Sequence, residues 1–296
     1  MNSFNKKIVI STTPINQKVW SKEISNTNSK DTLSTLEVKK NSENSNKILN
    51  ALLNSFELGA DPKNFIVSSE IFKGESTLLR TKNAFLENIC QLDWVTDFQY
   101  DQSEYDPFPI DKCGDALKLG ANKIGITILY NPNIRYKNSI RNNTIESIND
   151  AIKITNQKLA VYLKIINNES PKNNDLLVLE SIRQLQDEHL NPDLWIFELN
   201  GSENTASLIS SQAQIDERLN TSVILKINNL EQIQKKLEII ASTIGIQGLL
   251  LDFKVWENFL IKLKNNFESK NSEQIIGDKI LEIIRRLDYI NTSMNL

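Results

Sequence analysis

One histidine, His189, and two cysteines, Cys90 and Cys113, are all that the 296 residues offer to a soft-metal site or a disulfide framework. A tetrahedral zinc site takes about four Cys or His ligands, so such a site and a disulfide scaffold are both excluded, and reducing surroundings are expected. Glycine is scarce too, at 9 residues. Neither G-x-G-x-x-G nor a Walker A pattern is present, and loops that cradle phosphates depend on glycine for close backbone approach. No metal and no cofactor is expected. The chain also lacks a dominant charge, with a formal balance of −3. No field of one sign steers nucleic acid or a membrane surface. The small basic cluster of Arg135, Lys137 and Arg141 around Tyr136 reads as a solvated loop. Nowhere is there the run of about 20 apolar residues that a membrane span needs. The first ten residues lack the apolar core of a signal peptide, so the expected location is cytoplasmic.

The composition that remains is globular, with 40% hydrophobic and 24% charged residues. Short β-rich runs alternate with longer stretches of helical periodicity. Strands are predicted at Lys7–Ser11, Phe65–Ser68, Trp94–Phe98, Lys123–Tyr130, Ala160–Ile166, Leu194–Leu199, Ser222–Ile227 and Gly248–Asp252. Helices are predicted between them, among them Lys47–Leu58, Thr77–Asn88, Asn143–Asn156 and Glu203–Leu219, with two more closing the chain. Such alternation implies parallel strands with right-handed crossovers. Without a glycine-rich first βα turn, strand count and length favour a closed (β/α)₈ TIM barrel as one domain over residues 1–296. Residues 21–46, rich in Ser, Asn, Lys and Thr, read as a mobile polar insertion.

Barrel chemistry sits at the carboxyl ends of the strands, and side chains alternate between lumen and helices. In Ala160–Ile166 the apolar face is Val161, Leu163 and Ile165, which sends Lys164 inward. The same parity places Glu198, Lys226 and Asp252 inward on the next three strands, and Gly125 and Thr127 inward on the strand before. A desolvated lysine beside a carboxylate is the starting point of imine chemistry, which makes Lys164, Glu198 and Lys226 the candidate catalytic residues. A ring of structural ion pairs uses the same residue types, because charges removed from water must find partners. Other polar features read as packing or solvated loops. His189 falls at a helix end, where it caps carbonyls; Trp94, Trp195 and Trp256 lie on or beside strands; Asp101, Glu104 and Asp106 form an acidic loop.

From Gly120 onward the chain resembles class I aldolase-type barrels related to tagatose-bisphosphate aldolase, and most of all the aldolase-like domain fused to 5-dehydro-2-deoxygluconokinase. The resemblance is carried by Gly120-Ala121-Asn122 through Tyr130-Asn131-Pro132-Asn133, by Leu163-Lys164-Ile165-Ile166, by Pro192-Asp193-Leu194-Trp195-Ile196-Phe197-Glu198, and by Gly248 through Trp256. It implies a sugar-phosphate-like ligand and a sugar-kinase partner. The family's reactive positions are replaced, however. Its Schiff-base lysine corresponds to Ile196, its assisting lysine to Gly125, its active-site glutamate to Lys164, and its phosphate-holding Gly-Arg-Thr to Asp252-Phe253-Lys254. Lys226 stands at a family glycine position, and of the set only Glu198 is kept. An isoleucine cannot form an imine, so the expectation is a divergent barrel without the family's reaction, retained for binding a ligand or partner. The alternative is a carbon–carbon lyase acting on a sugar phosphate or keto-sugar acid through a relocated lysine.

Overall fold

The computed structural model describes residues 6–13, 35–71, 75–97, 108–134, 138–156, 158–166, 174–216, 218, 220–265 and 272–293. Eight parallel strands close in sequence order into a barrel, β8 pairing back onto β1. The strands are β1 (Lys7–Ser11), β2 (Phe65–Glu70), β3 (Glu87–Asp97), β4 (Lys123–Tyr130), β5 (Lys158–Ile165), β6 (Leu194–Phe197), β7 (Ser222–Ile227) and β8 (Ile246–Leu251). Each is followed by a helix: α1 (Thr35–Glu57), α2 (Glu75–Asn83), α3 (Ile110–Lys118), α4 (Asn138–Thr155), α5 (Asn174–Asp187), α6 (Glu203–Ala213), α7 (Ile233–Ser242) and α8 (Phe253–Asn265). A last helix, α9 (Ser272–Ser293), lies against α1, where Asn50 Nδ2 donates to Glu273 Oε1 at 3.0 Å. The expected single-domain (β/α)₈ architecture is the one observed.

Strand alternation builds two cores. Ile8, Ile10, Val161, Leu163, Trp195, Phe197, Val223, Leu225, Leu249 and Leu251 face the helices and join the large outer core. Val9, Ile66, Ile89, Ala160, Tyr162, Leu194, Ile196, Ile224 and Leu250 fill the lumen as a separate apolar cluster. The barrel is thus packed through its middle, and polar side chains collect at its two ends.

Seven of the turns that lead from a helix into the next strand contain a residue of positive φ: Gly59, Phe85, Gly120, Asn156, His189, Asp216 and Gly245. In four of them the following N–H reaches back into the last turn in Schellman fashion: Ala60 to Ser55, Leu86 to Thr81, Ala121 to Ala116 and Leu190 to Leu185, each at 3.0 Å. His189 therefore caps through its backbone, its N–H meeting Gln186 O at 2.9 Å. Glycine, asparagine, aspartate and histidine suit the left-handed region. Phe85, at φ 55° and 96% exposed, does not, and holding it there costs about 1–2 kcal/mol.

Three elements depart from the sequence expectation. Helix α1 starts at Thr35, twelve residues before the expected Lys47, so the second half of the supposed insertion is helical. Its polar residues Asn41, Asn44 and Ser45 are buried, and Ser45 Oγ donates to Thr12 O at 2.5 Å, tying the helix to the end of β1. Residues 21–34 lie outside the described residues. Strand β3 begins at Glu87, inside the expected helix Thr77–Asn88, because the chain reverses at Phe85, a residue that carries no stop signal. Helix α6 ends at Ala213 rather than Leu219.

The tryptophans pack as expected: Trp195 and Trp256 are fully buried, and Trp94 meets Phe108 edge-on at 5.1 Å. Both cysteines are free and fully buried in the outer core, and burial pushes the Cys90 thiol up to about 12 and Cys113 to about 11. The thiolate is the reactive form. Neither cysteine should therefore react with a thiol reagent in the native protein, and both should react on unfolding. A rapid native-state reaction with Ellman's reagent would show the α3–β3 packing to be looser than described.

Candidate functional site

At the carboxyl end of the barrel the inward side chains of β7 and the residues just past β6 and β8 meet. Lys226 Nζ lies 2.9 Å from Asp252 Oδ2 and 3.3 Å from Glu198 Oε1. The Lys226 and Asp252 side chains are 12% and 8% exposed, whereas Glu198 is 45% exposed at the rim. Burial alone would push the Lys226 amine down, but Asp252 and Glu198 outweigh it and hold the amine above the ordinary lysine range. Asp252 has a second task. Its Oδ1 accepts the Lys254 N–H at 3.1 Å and so caps the first turn of α8.

The parity reading therefore places Glu198, Lys226 and Asp252 together. Lys164 stands on the same inward parity of β5, half-buried, opposite Leu129. Register runs Leu163 to Phe197 and Phe197 to Leu225, so Lys164, Glu198 and Lys226 belong to one tier. Ile196, one tier lower, is buried in the lumen cluster.

Two parts of this region escape strand parity because helices and hydrogen bonds supply them. Lys236 of α7 is buried, and burial pulls its pKa down against the fields of Asp175 and Glu198. Asp175, in the first turn of α5, accepts the Asn200 N–H at 3.0 Å and lies so close to Gly201 that a Cβ there would collide with its carboxylate. It thereby pins the turn that carries Glu198. Deeper, Ser68 and Tyr162 hydroxyls meet at 2.9 Å and Gln91 Nε2 donates to Ser68 Oγ at 3.3 Å. Burial raises the Tyr162 pKa, so this phenol stays neutral. Gly125 leaves room for the Gln91 amide, which a Cβ would approach to 2.5 Å.

A small pocket of about 50 Å³ opens beside the triad, between Asn228, Asn229 and Leu230 after β7 and Val255, Asn258 and Phe259 of α8. Loops after the last two strands hold substrate phosphate in many barrels. Here the pocket is lined by amides and apolar groups, and the Asp252 carboxylate occupies the adjoining helix start. The opposite end of the barrel is closed by a separate ion cluster in which Glu87 meets Lys123 and, at 3.5 Å, Lys7. Burial would raise the Glu87 carboxyl, but the two ammonium groups hold it below the usual range. Among the described residues no three His, Cys, Asp or Glu side chains are grouped so as to hold a metal ion, and no helix is long and apolar enough to cross a membrane. Asp101, Glu104 and Asp106 lie outside the described residues, as do Arg135, Tyr136 and Lys137.

No family model and no curated protein matches the sequence. Solved structures share its fold. The YdjI aldolase from Escherichia coli K12 superposes with a TM-score of 0.57 at 10% identity, over 97% of this chain and 92% of that one. Cgl0159 from Corynebacterium glutamicum (Brevibacterium flavum) superposes with a TM-score of 0.52 at 6% identity, over 93% and 86%.

Proposed function

We propose that this chain is a ligand-binding barrel of aldolase-like architecture in which the imine-forming reaction is absent. The observation that supports this most is the clamp on Lys226. An attacking amine must be neutral, and an ammonium with one carboxylate at 2.9 Å and another at 3.3 Å is held in its charged form. Ile196 in the sealed lumen and a carboxylate at the start of α8 argue the same way against a Schiff base and a bound phosphate. What remains is a rim of paired charges over a floor of hydroxyl and amide groups, suited to holding a small polar ligand by hydrogen bonds. Likeness to an aldolase supports the class of architecture, and the ligand class follows from the residues.

The test is borohydride trapping with a panel of ketose phosphates and keto-sugar acids, read by intact mass. No adduct is expected, and members of the unphosphorylated panel should raise the Tm. An adduct mapped to Lys226 would overturn the reading. A second reading is favoured by one observation: Lys164 is half-buried in the same tier as Glu198. An adduct mapped to Lys164, lost in Lys164→Ala, would establish a lyase with Lys164 as amine and Glu198 as acid–base.

A further inference from the structure

The pocket beside the triad does not suit a phosphate, and its lining says what it does suit. Asn228, Asn229 and Leu230 directly follow β7, and Val255, Asn258 and Phe259 come from the first two turns of α8. Asn228 stands just past Lys226 and Val255 just past Asp252, so the pocket flanks the charged cluster on its β7–β8 side. No charged side chain lines it. Asn229 is committed: its Oδ1 accepts the Glu231 N–H at 2.9 Å and its Nδ2 donates to Glu231 Oε2 at 3.4 Å. Among the described residues the side chains of Asn228 and Asn258 make no hydrogen bond, so each carboxamide still has both donors and an acceptor to offer. Leu230, Val255 and Phe259 supply an apolar wall. At roughly 10–15 Å³ for each water-sized group, a volume of about 50 Å³ has room for about four non-hydrogen atoms.

We propose that this pocket takes an acetamido group, so that the ligand of the mouth is a small polyol carrying an acylated amine. The inference rests on the ligand-binding reading above and names the ligand's class. A phosphate or carboxylate would find no cation in the lining and the Asp252 carboxylate close by. An ammonium would find no carboxylate among the lining residues. A hydroxyl could pair with the carboxamides but would leave the wall of Leu230, Val255 and Phe259 uncovered. An acetamido group meets all three demands. It is neutral, it has one N–H to donate and one carbonyl to accept, and its methyl covers apolar surface at about 25 cal/mol per Å². A pocket of this make-up, mostly apolar with a few convergent polar groups, selects by the pairing of those groups. The hydroxyl groups of the same molecule would then lie over the charged rim of Glu198 and Lys226.

Calorimetric titration of the full chain tests this, using the N-acetyl forms of glucosamine, galactosamine and mannosamine, each beside its free amine and its parent hexose. At least one acetylated form is expected to bind about tenfold or more tighter than its two counterparts. Asn258→Asp, at an exposed position on α8, keeps an acceptor but loses the donors and brings in a negative charge. It is expected to abolish that preference, and the Tm of the free variant shows whether it folds. Equal affinities across every set, with binding present, overturn the acetamido assignment and leave the ligand-binding reading standing. Absence of binding by every acetylated form up to about 10 mM also overturns it. So does a preference that a folded Asn258→Asp retains. A borohydride adduct at Lys226 beside an intact, Asn258-dependent preference would do the reverse, removing the reading of an unreactive barrel and keeping the pocket's assignment.

Discussion

Replacing Lys226 with methionine is expected to destabilise the barrel by about 3–5 kcal/mol, measured as the shift in urea unfolding at neutral pH. The cost comes less from the lost attraction than from what is left behind. Asp252 is 8% exposed and would be left in the lumen without the ammonium that pairs with it, and with the Glu198 carboxyl close by. Glu198, at 45% exposure, is partly screened by water, so Glu198→Gln should cost about 1 kcal/mol or less. Removing both members of the buried pair in Lys226→Met/Asp252→Leu should recover much of the loss, since a buried ion pair and an apolar pair of similar volume are often of comparable stability. A double-mutant cycle would then show coupling well above the additive expectation. The pH dependence follows from sign. The folded amine titrates above the unfolded one, so its stabilisation is fully present below the ordinary lysine value of about 10.4 and is lost as pH rises through the folded value. The gap between wild type and Lys226→Met should be flat through neutral pH and narrow in the alkaline range. A single-variant cost below about 1 kcal/mol would mean that the triad behaves as a surface ion pair.

That triad was legible because strand parity is a short-range rule. β1, β4 and β7 lie where the alternation of apolar residues puts them, and once a strand is located its inward members follow. Lys236 and Asp175 were not legible. They sit on helices and enter the region through the packing of α5 and α7 on the barrel, which no spacing in the sequence encodes. The start of α1 was hidden for a related reason. Asn41, Asn44 and Ser45 are buried, Ser45 with its hydroxyl on the Thr12 and Asn41 carbonyls, and a search for an apolar stripe passes over such residues. The misplacement of β3 has one cause, a phenylalanine where a glycine would have marked the end of the helix. Most of the fold thus followed from periodicity. The candidate site followed in its strand-borne half only.

The closure of the barrel should be the other point of extreme sensitivity, and three glycine-to-alanine changes would grade it. At Gly248, in β8, an added Cβ would clash with the Lys7 carbonyl oxygen, with the Lys7 carbon at 2.7 Å and its nitrogen at 2.9 Å. All three atoms are backbone of β1, at the seam where the first and last strands pair, with Lys7 opposite Gly248 in register. No rotamer change relieves such a clash, so the seam must shift, and Gly248→Ala should cost about 3 kcal/mol or more or prevent folding. At Gly125 the obstacle is a side chain. The Gln91 amide must give by a few tenths of an ångström or more, at the cost of its bond to Ser68, and a cost of about 1–3 kcal/mol is expected. At Gly114, within α3, a Cβ meets nothing within 4 Å, so alanine should stabilise by about 0.5–1 kcal/mol through helix propensity alone. The same substitution is therefore expected to change sign across the three sites, read by urea unfolding and by the soluble fraction on expression. If Gly248→Ala unfolds within about 1 kcal/mol of the wild type, the β1–β8 seam is not the tight contact described here, and the closed ring that gathers the mouth residues loses its anchor.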